Sequence, residues 1–174
     1  NEVRILMKDK NFSRAVELAK ITNERFPDDV EGMGLLGSCL RLTKSFEDSL
    51  FFLNKAIERN PNFAEALINR GLIKLEKKDN SGALSDLETA HKVKPHIKQI
   101  WDLVIGLKNE AEDYTEAILL LVNMIMIDPT HEKSFLLLDA LLKKTKDFSL
   151  IITCLKKILK IKPENTKMLL SLGI

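Results

Sequence analysis

Few residues in this chain have the type and spacing that catalysis or metal binding requires. Three histidines (His91, His96, His131) and two cysteines (Cys39, Cys154) are the obvious candidates. A zinc site needs closely spaced Cys/His pairs, and a nucleophilic relay needs a base and an orienting group beside the nucleophile. None of the histidines has a cysteine or carboxylate at such a spacing. Cys39 lies in LGSCL (36–40), an apolar context that buries a thiol and keeps it protonated. There is no phosphate loop, no GxGxxG, no HExxH and no GxSxG. Lys156, Lys157, Lys160 and Lys162 make a basic edge without interleaved aromatics, which suits a solvated face better than a nucleic-acid site. The reading is therefore of a non-enzyme with no catalytic, cofactor-binding or metal-binding residues.

The chain has 174 residues, 45% hydrophobic and 30% charged, with a net charge of +2. That profile is of a soluble folded chain without a bulk pull toward nucleic acid or anionic lipid. Two distant thiols make no disulfide framework and point weakly to a reducing, cytoplasmic setting. The chain starts with Asn1, which reads as a fragment or a trimmed start. Its greasiest stretch, AILLLVNMIMIDP (117–129), is about half the roughly 20 residues that a membrane helix needs. No membrane span is expected.

The prolines set a ruler. All five, Pro27, Pro61, Pro95, Pro129 and Pro163, stand 34 residues apart, and a fixed period of this size means a stacked repeat. Fifteen residues before each proline stand Phe12, Phe46, Asn80, Tyr114 and Phe148. Twelve before stand Ala15, Ser49, Ala83, Ala117 and Ile151. Eight before stand Ala19, Leu53, Leu87, Leu121 and Leu155. Between prolines the pattern predicts two helices. The first follows the proline, with Asp28 or Asp29, Asn62, Thr130 and Asn165 as caps, and Asn62 with Glu65 at capping-box spacing. The second follows a polar turn (KNFS, KSFED, KDNS, EDYT, KDFS) and stops before the next proline. Gly37 and Gly71 let helix backbones approach closely. Ile105 and Asp139 break that small-residue position, with Gly106 displaced by one, and Arg70 and Lys74 stand where apolar residues are usual.

These spacings resemble the tetratricopeptide repeat (TPR) family, and AEALINRGLIKLEKKDNSGALSDLETAHKVKP (64–95) is close to its pattern. The resemblance covers the whole chain. It implies an all-α, right-handed superhelical solenoid of helix–turn–helix units in a single array over 1–174. The array divides into a partial unit 1–27, units 28–61, 62–95, 96–129 and 130–163, and the start of a further helix at 164–174.

The resemblance also implies a concave groove lined by the first helices. Carried over in phase, its residues include Leu35, Ser38, Glu65, Ile68, Asn69, Leu72, Glu76, Asp102, Leu103, Lys133, Leu136, Leu137 and Ala140, with Lys167 and Leu170 beyond. Its middle is apolar. Its edges change sign, from Glu31, Glu65, Glu76 and Glu110 to Lys133, Lys143, Lys144 and Lys167. A protein segment with apolar anchors matches such a groove. TPRs that hold a chaperone's terminal carboxylate use a clamp of Lys, Asn and Arg. Only Asn69 fits it here, the other positions holding Gly34, Ser38, Gln99 and Leu103, so chaperone-tail recognition is not expected. The Asn69 amide would be free to meet a peptide backbone. A convex contact is expected at Phe51, Leu119, Val122 and Met126, where neighbouring repeats carry polar residues. The primary reading is a non-catalytic protein-binding scaffold. The alternatives are a docking or regulatory region of a larger enzyme, of glycosyltransferase or sulfotransferase type, and a homo-oligomerising module that uses the convex patch or the uncapped C-terminal helix.

Overall fold

The computed structural model describes residues 2–161, so Pro163, Lys162, Asn165, Lys167, Leu170 and the helix expected at 164–174 lie outside the described residues. Among those described there are ten helices and no strand. They are α1 (Glu2–Lys8), α2 (Phe12–Arg25), α3 (Val30–Leu42), α4 (Phe46–Arg59), α5 (Ala64–Glu76), α6 (Asn80–Val93), α7 (Lys98–Glu110), α8 (Tyr114–Ile127), α9 (Glu132–Lys144) and α10 (Phe148–Ile161). The chain divides into two compact units, Asn1–Ile100 and Trp101–Ile174, with the boundary inside α7.

The proline ruler marks the helix boundaries. The residue fifteen before each proline is the first residue of a second helix: Phe12, Phe46, Asn80, Tyr114 and Phe148. The side chains of Asn11, Asp79 and Asp113 cap these starts, accepting from the backbone N–H of Arg14, Gly82 and Glu116. At the other end the chain cannot continue through proline. The N–H groups of Phe26, Asn60, Lys94 and Asp128 close the last turns onto Thr22, Ala56, Ala90 and Met124.

The first-helix caps depart from expectation in two places. Asp29 caps α3 by accepting from the Glu31 N–H at 3.1 Å. The expected Asn62–Glu65 capping box does not form, because the chain bends one residue later and Phe63 takes the cap position with no side-chain bond. The Asn62 N–H instead donates to Asn60 Oδ1 at 3.1 Å. Likewise His131, not Thr130, precedes α9, and Thr130 donates to Asp128.

The turn between paired helices is a repeated αL stop. Lys10, Lys44, Lys78 and Glu112 hold φ between 59° and 62°. Two backbone bonds reach back across each of the first two turns: Asn11 to Leu6 and Lys10 to Met7, then Ser45 to Leu40 and Lys44 to Arg41. This is the Schellman arrangement, which usually has glycine at the αL position. A side chain at αL costs about 1–2 kcal/mol, and glycine returns part of that as unfolded-chain entropy. Lys44→Gly is therefore expected to stabilise unit 1 by roughly 0.5–1 kcal/mol, read as a raised urea midpoint at unchanged m-value. In the last turn Thr145 is extended instead, with φ −80° and ψ 145°.

In unit 1 the close approaches occur where the glycines predict them. A Cβ on Gly37 would lie 2.7 Å from Leu53, and one on Gly71 would lie 3.0 Å from Leu87. Ser49, fully buried, donates to the Gly37 carbonyl at 2.6 Å, stitching α4 to α3. In unit 2 the core is built around α8, the greasy run of the sequence. Ala117, Ile118, Leu121, Met124 and Ile125 are buried with Trp101, Ile105, Leu138, Leu141 and the α10 residues Cys154, Leu155 and Ile158. Val122 belongs to this core as well, only 1% exposed. That corrects its assignment to a convex contact: α8 is covered on two sides, since α10 packs on it. Leu119 is half-buried, and Met126 is exposed. No helix among the described residues is long and apolar enough to cross a membrane.

Candidate functional site

In unit 1 the first helices converge on a cavity of about 240 Å³. It is lined by Arg4 and Met7 of α1, Glu31, Gly34, Leu35 and Ser38 of α3, and Phe63, Glu65 and Asn69 at the start of α5. Four of the groove residues expected from sequence thus meet here: Leu35, Ser38, Glu65 and Asn69. Gly34 makes the space. A Cβ there would fall 2.2 Å from the Phe63 ring, so only glycine lets the ring lie across α3. The ring comes from the residue that left the α5 cap without a side-chain bond.

One wall of the cavity is a closed hydrogen-bond chain. Ser38 Oγ donates to the Gly34 carbonyl at 2.8 Å. Asn69 Nδ2 donates to Ser38 Oγ at 2.9 Å and to the Glu65 carbonyl at 2.7 Å. Arg41 Nε donates to Asn69 Oδ1 at 2.7 Å. Both Asn69 amide hydrogens are therefore committed within the protein. The expectation that this amide is free to meet a peptide backbone is corrected accordingly; Asn69 braces α5 against α3. Glu65 is also occupied, paired with Lys94 at 2.5 Å. Its burial would raise its pKa, but the Lys94 hydrogen bond and the charges of Lys94 and Arg4 hold it below the usual range. Of the remaining expected positions in this unit, Ile68 and Leu72 are half-buried and Glu76 is exposed.

In unit 2, Leu103 is half-buried, while Asp102, Lys133, Leu136, Leu137 and Ala140 are exposed, Leu136 by 72%. Leu136 and Leu137 thus present apolar surface. The basic edge is partly engaged. Lys143 pairs with Asp139 at 2.7 Å, which also supplies the partner that this acidic residue needs. Lys144 donates to Asn109 at 3.3 Å and lies over the Tyr114 ring.

A cluster that sequence reasoning missed lies between α5 and α6. Asp86, 3% exposed, accepts two hydrogen bonds from Arg70, at 2.9 and 2.6 Å, and pairs with Lys74 at 2.8 Å. Arg70 also donates to Asn54 of α4 at 2.9 Å. Arg70 and Lys74 were visible as misfits, but Asp86 was not connected to them. The signal was in the phase: one repeat earlier the three positions hold Leu36, Leu40 and Phe52. Burial pushes the Asp86 pKa up, but the hydrogen bonds and charges of Arg70 and Lys74 outweigh it and keep it below its ordinary 3.8. A carboxylate depressed in the folded state adds stability above its unfolded value and loses it as pH falls through the folded one. The gap in melting temperature between parent and Asp86→Asn is expected to be widest at neutral pH. It should close as pH falls below that value in parallel thermal melts.

The other candidate groups are quiet. Both cysteines are buried and unpaired in any disulfide. Burial pushes the Cys39 thiol up to about 11 and raises that of Cys154, which leaves both protonated at neutral pH. Burial lowers the His91 pKa, and His131 Nδ1 sits 2.6 Å from Ser134 Oγ. Among the described residues no group of three His, Cys, Asp or Glu side chains could hold a metal ion.

The repeat geometry agrees with known families. Residues 30–63 match the family model described as a tetratricopeptide repeat. This segment is a tetratricopeptide repeat. No curated protein sequence matches this chain. Solved TPR structures do. MamA 41-end from Desulfovibrio magneticus RS-1 is 17% identical over 94% of this chain and 92% of its own, with a TM-score of 0.68. YrrB, described as a TPR protein with an unusual peptide-binding site, is 13% identical over 99% of this chain and 89% of its own, with a TM-score of 0.67. The TPR2B domain of yeast Sti1, solved in a complex with pHsp70, is 23% identical over 63% of this chain and 92% of its own, with a TM-score of 0.56. At these identities the likeness is one of fold.

Proposed function

We propose that this TPR chain is a protein-interaction module that holds an extended segment of a partner against its first helices, assembling proteins without catalysing a reaction. The observation that carries the reading is the unit-1 cavity. Leu35, Ser38, Glu65 and Asn69, assigned to a groove through the resemblance to the repeat family, line one cavity with both apolar and polar walls. YrrB and the Sti1 domain, which share the fold, are described with a peptide-binding site and with a bound partner, respectively. Ile68 and Leu72 of unit 1, and Asp102, Leu103, Lys133, Leu136, Leu137 and Ala140 of unit 2, are proposed as further contacts. The test is photo-crosslinking in native lysate, with the photoreactive residue placed at Leu35, at Ile68 or at exposed Met126. Partners crosslinked from Leu35 and Ile68 but not from Met126 support the groove. The reverse pattern defeats it.

A second reading is self-association through convex apolar side chains. Met126 and Ile127 are adjacent and both about half exposed, at 47% and 55%. Phe51 is also exposed, but Lys55 covers part of its ring at 4.4 Å. Light scattering over a concentration series separates this reading from the first: Met126→Glu should reduce association only if the patch is an interface.

A further inference from the structure

We infer that the unit-1 cavity selects a partner segment in which a bulky apolar side chain stands next to a lysine or arginine, a preference that rests on the groove reading above. Size and lining argue for the apolar anchor. Some 240 Å³ bounded by Met7, Leu35 and the Phe63 ring is room for a leucine- or phenylalanine-sized side chain, and the ring can lie where it does because position 34 is glycine. Charge argues for the neighbour. The polar wall is satisfied internally, since Ser38 and Asn69 spend their hydrogens on Gly34, Glu65 and each other. Glu65 is neutralised by Lys94 and by the nearby charge of Arg4. The carboxylate that lines the cavity with no ion pair among the described residues is that of Glu31, exposed at the rim. A ligand cation beside the anchor completes it, and Arg4 remains able to donate to a carbonyl of the bound backbone. This is opposite in sign to a clamp for a terminal carboxylate, whose other positions hold Gly34, Ser38, Gln99 and Leu103 here.

Capped synthetic peptides with a Gly/Ser background and a central Phe-Lys, Ala-Lys or Phe-Glu pair provide the probe. Titration is followed by methyl NMR, with Met7 as the local reporter. The Phe-Lys peptide should bind at least about tenfold more tightly than either of the others, as expected for a buried anchor with a charged neighbour. Its binding should shift the Met7 methyl. Gly34→Ala should abolish the preference for Phe by pushing the Phe63 ring into the cavity. Because that variant disturbs packing, Glu31→Gln, on an exposed side chain, supplies the second arm and should remove the preference for Lys over Glu. Equal affinity of the three peptides, absence of binding at millimolar concentration, or a Lys preference unchanged in Glu31→Gln would each overturn the inference. If a crosslinked partner still engages Leu35 and Ile68 while the peptides do not discriminate, the pocket preference fails and the groove reading survives. If no partner engages those positions, both fail.

Discussion

Asp86→Ala is expected to destabilise the protein by about 3 kcal/mol, the lower end for breaking a buried ion pair, because Arg70 and Lys74 keep some access to water. Their side chains are only 21% and 26% exposed, so removing the carboxylate leaves two cations facing one another in a mostly dry space. Bringing in the sequence of the preceding repeat gives the contrast. Arg70→Leu, Lys74→Leu and Asp86→Phe together recreate the trio Leu36, Leu40 and Phe52. That triple variant is expected to match or exceed the parent, since well-packed apolar groups often replace a buried ionic cluster without loss. Urea denaturation of the three proteins checks both parts. A single Asp86→Ala loss below about 1 kcal/mol would mean that the cluster behaves like a surface pair.

Gly37→Ala and Gly106→Ala are expected to act with opposite signs. A Cβ at Gly37 would press on Leu53 at 2.7 Å and on the Ser49 carbonyl oxygen at 3.3 Å, against fully buried neighbours that cannot swing away. Overpacking of this kind costs about 1–3 kcal/mol. At Gly106 nothing lies within 4 Å, so alanine adds only its better helix propensity, up to about 1 kcal/mol. The two variants, compared by urea midpoint, test whether the repeat position or the residue type controls packing. A stabilised Gly37→Ala would contradict the close approach of α3 and α4.

The period was fully legible. The prolines placed every described second helix, because proline ends a helix for reasons that need no tertiary context, although each helix starts inside the stretch read as its polar turn. The buried small positions were legible for the same reason. Ala15, Ser49, Ala83 and Ala117 share one phase and are all fully buried. The failures came where one side chain had two uses. Asn62 had capping-box spacing, but α5 starts three residues after its proline, as α3, α7 and α9 do, which puts Phe63 at the cap. Asn69 looked like a free ligand group, but Arg41, one repeat back, occupies its oxygen, and no periodicity encodes that partner. Val122 looked exposed because its counterparts are Glu88 and Lys156. Yet unit 2 lacks the glycine that guides packing in unit 1: Ile105 fills that place and is itself buried. Phase predicts which residues point inward only while the small-residue rule that sets helix spacing is kept.

Whether a partner segment lies against the first helices is decided by the equilibrium affinity of the crosslinked partner segment, purified as a peptide, for the parent and for Ile68→Glu, with unchanged helicity and melting as the entry condition. A carboxylate at half-buried Ile68 should weaken binding by at least about tenfold, as for a charge placed in an apolar contact. Met126→Glu should leave the affinity unchanged. The opposite pattern, binding intact in Ile68→Glu and lost in Met126→Glu, would contradict the account and move the interaction to the second helices.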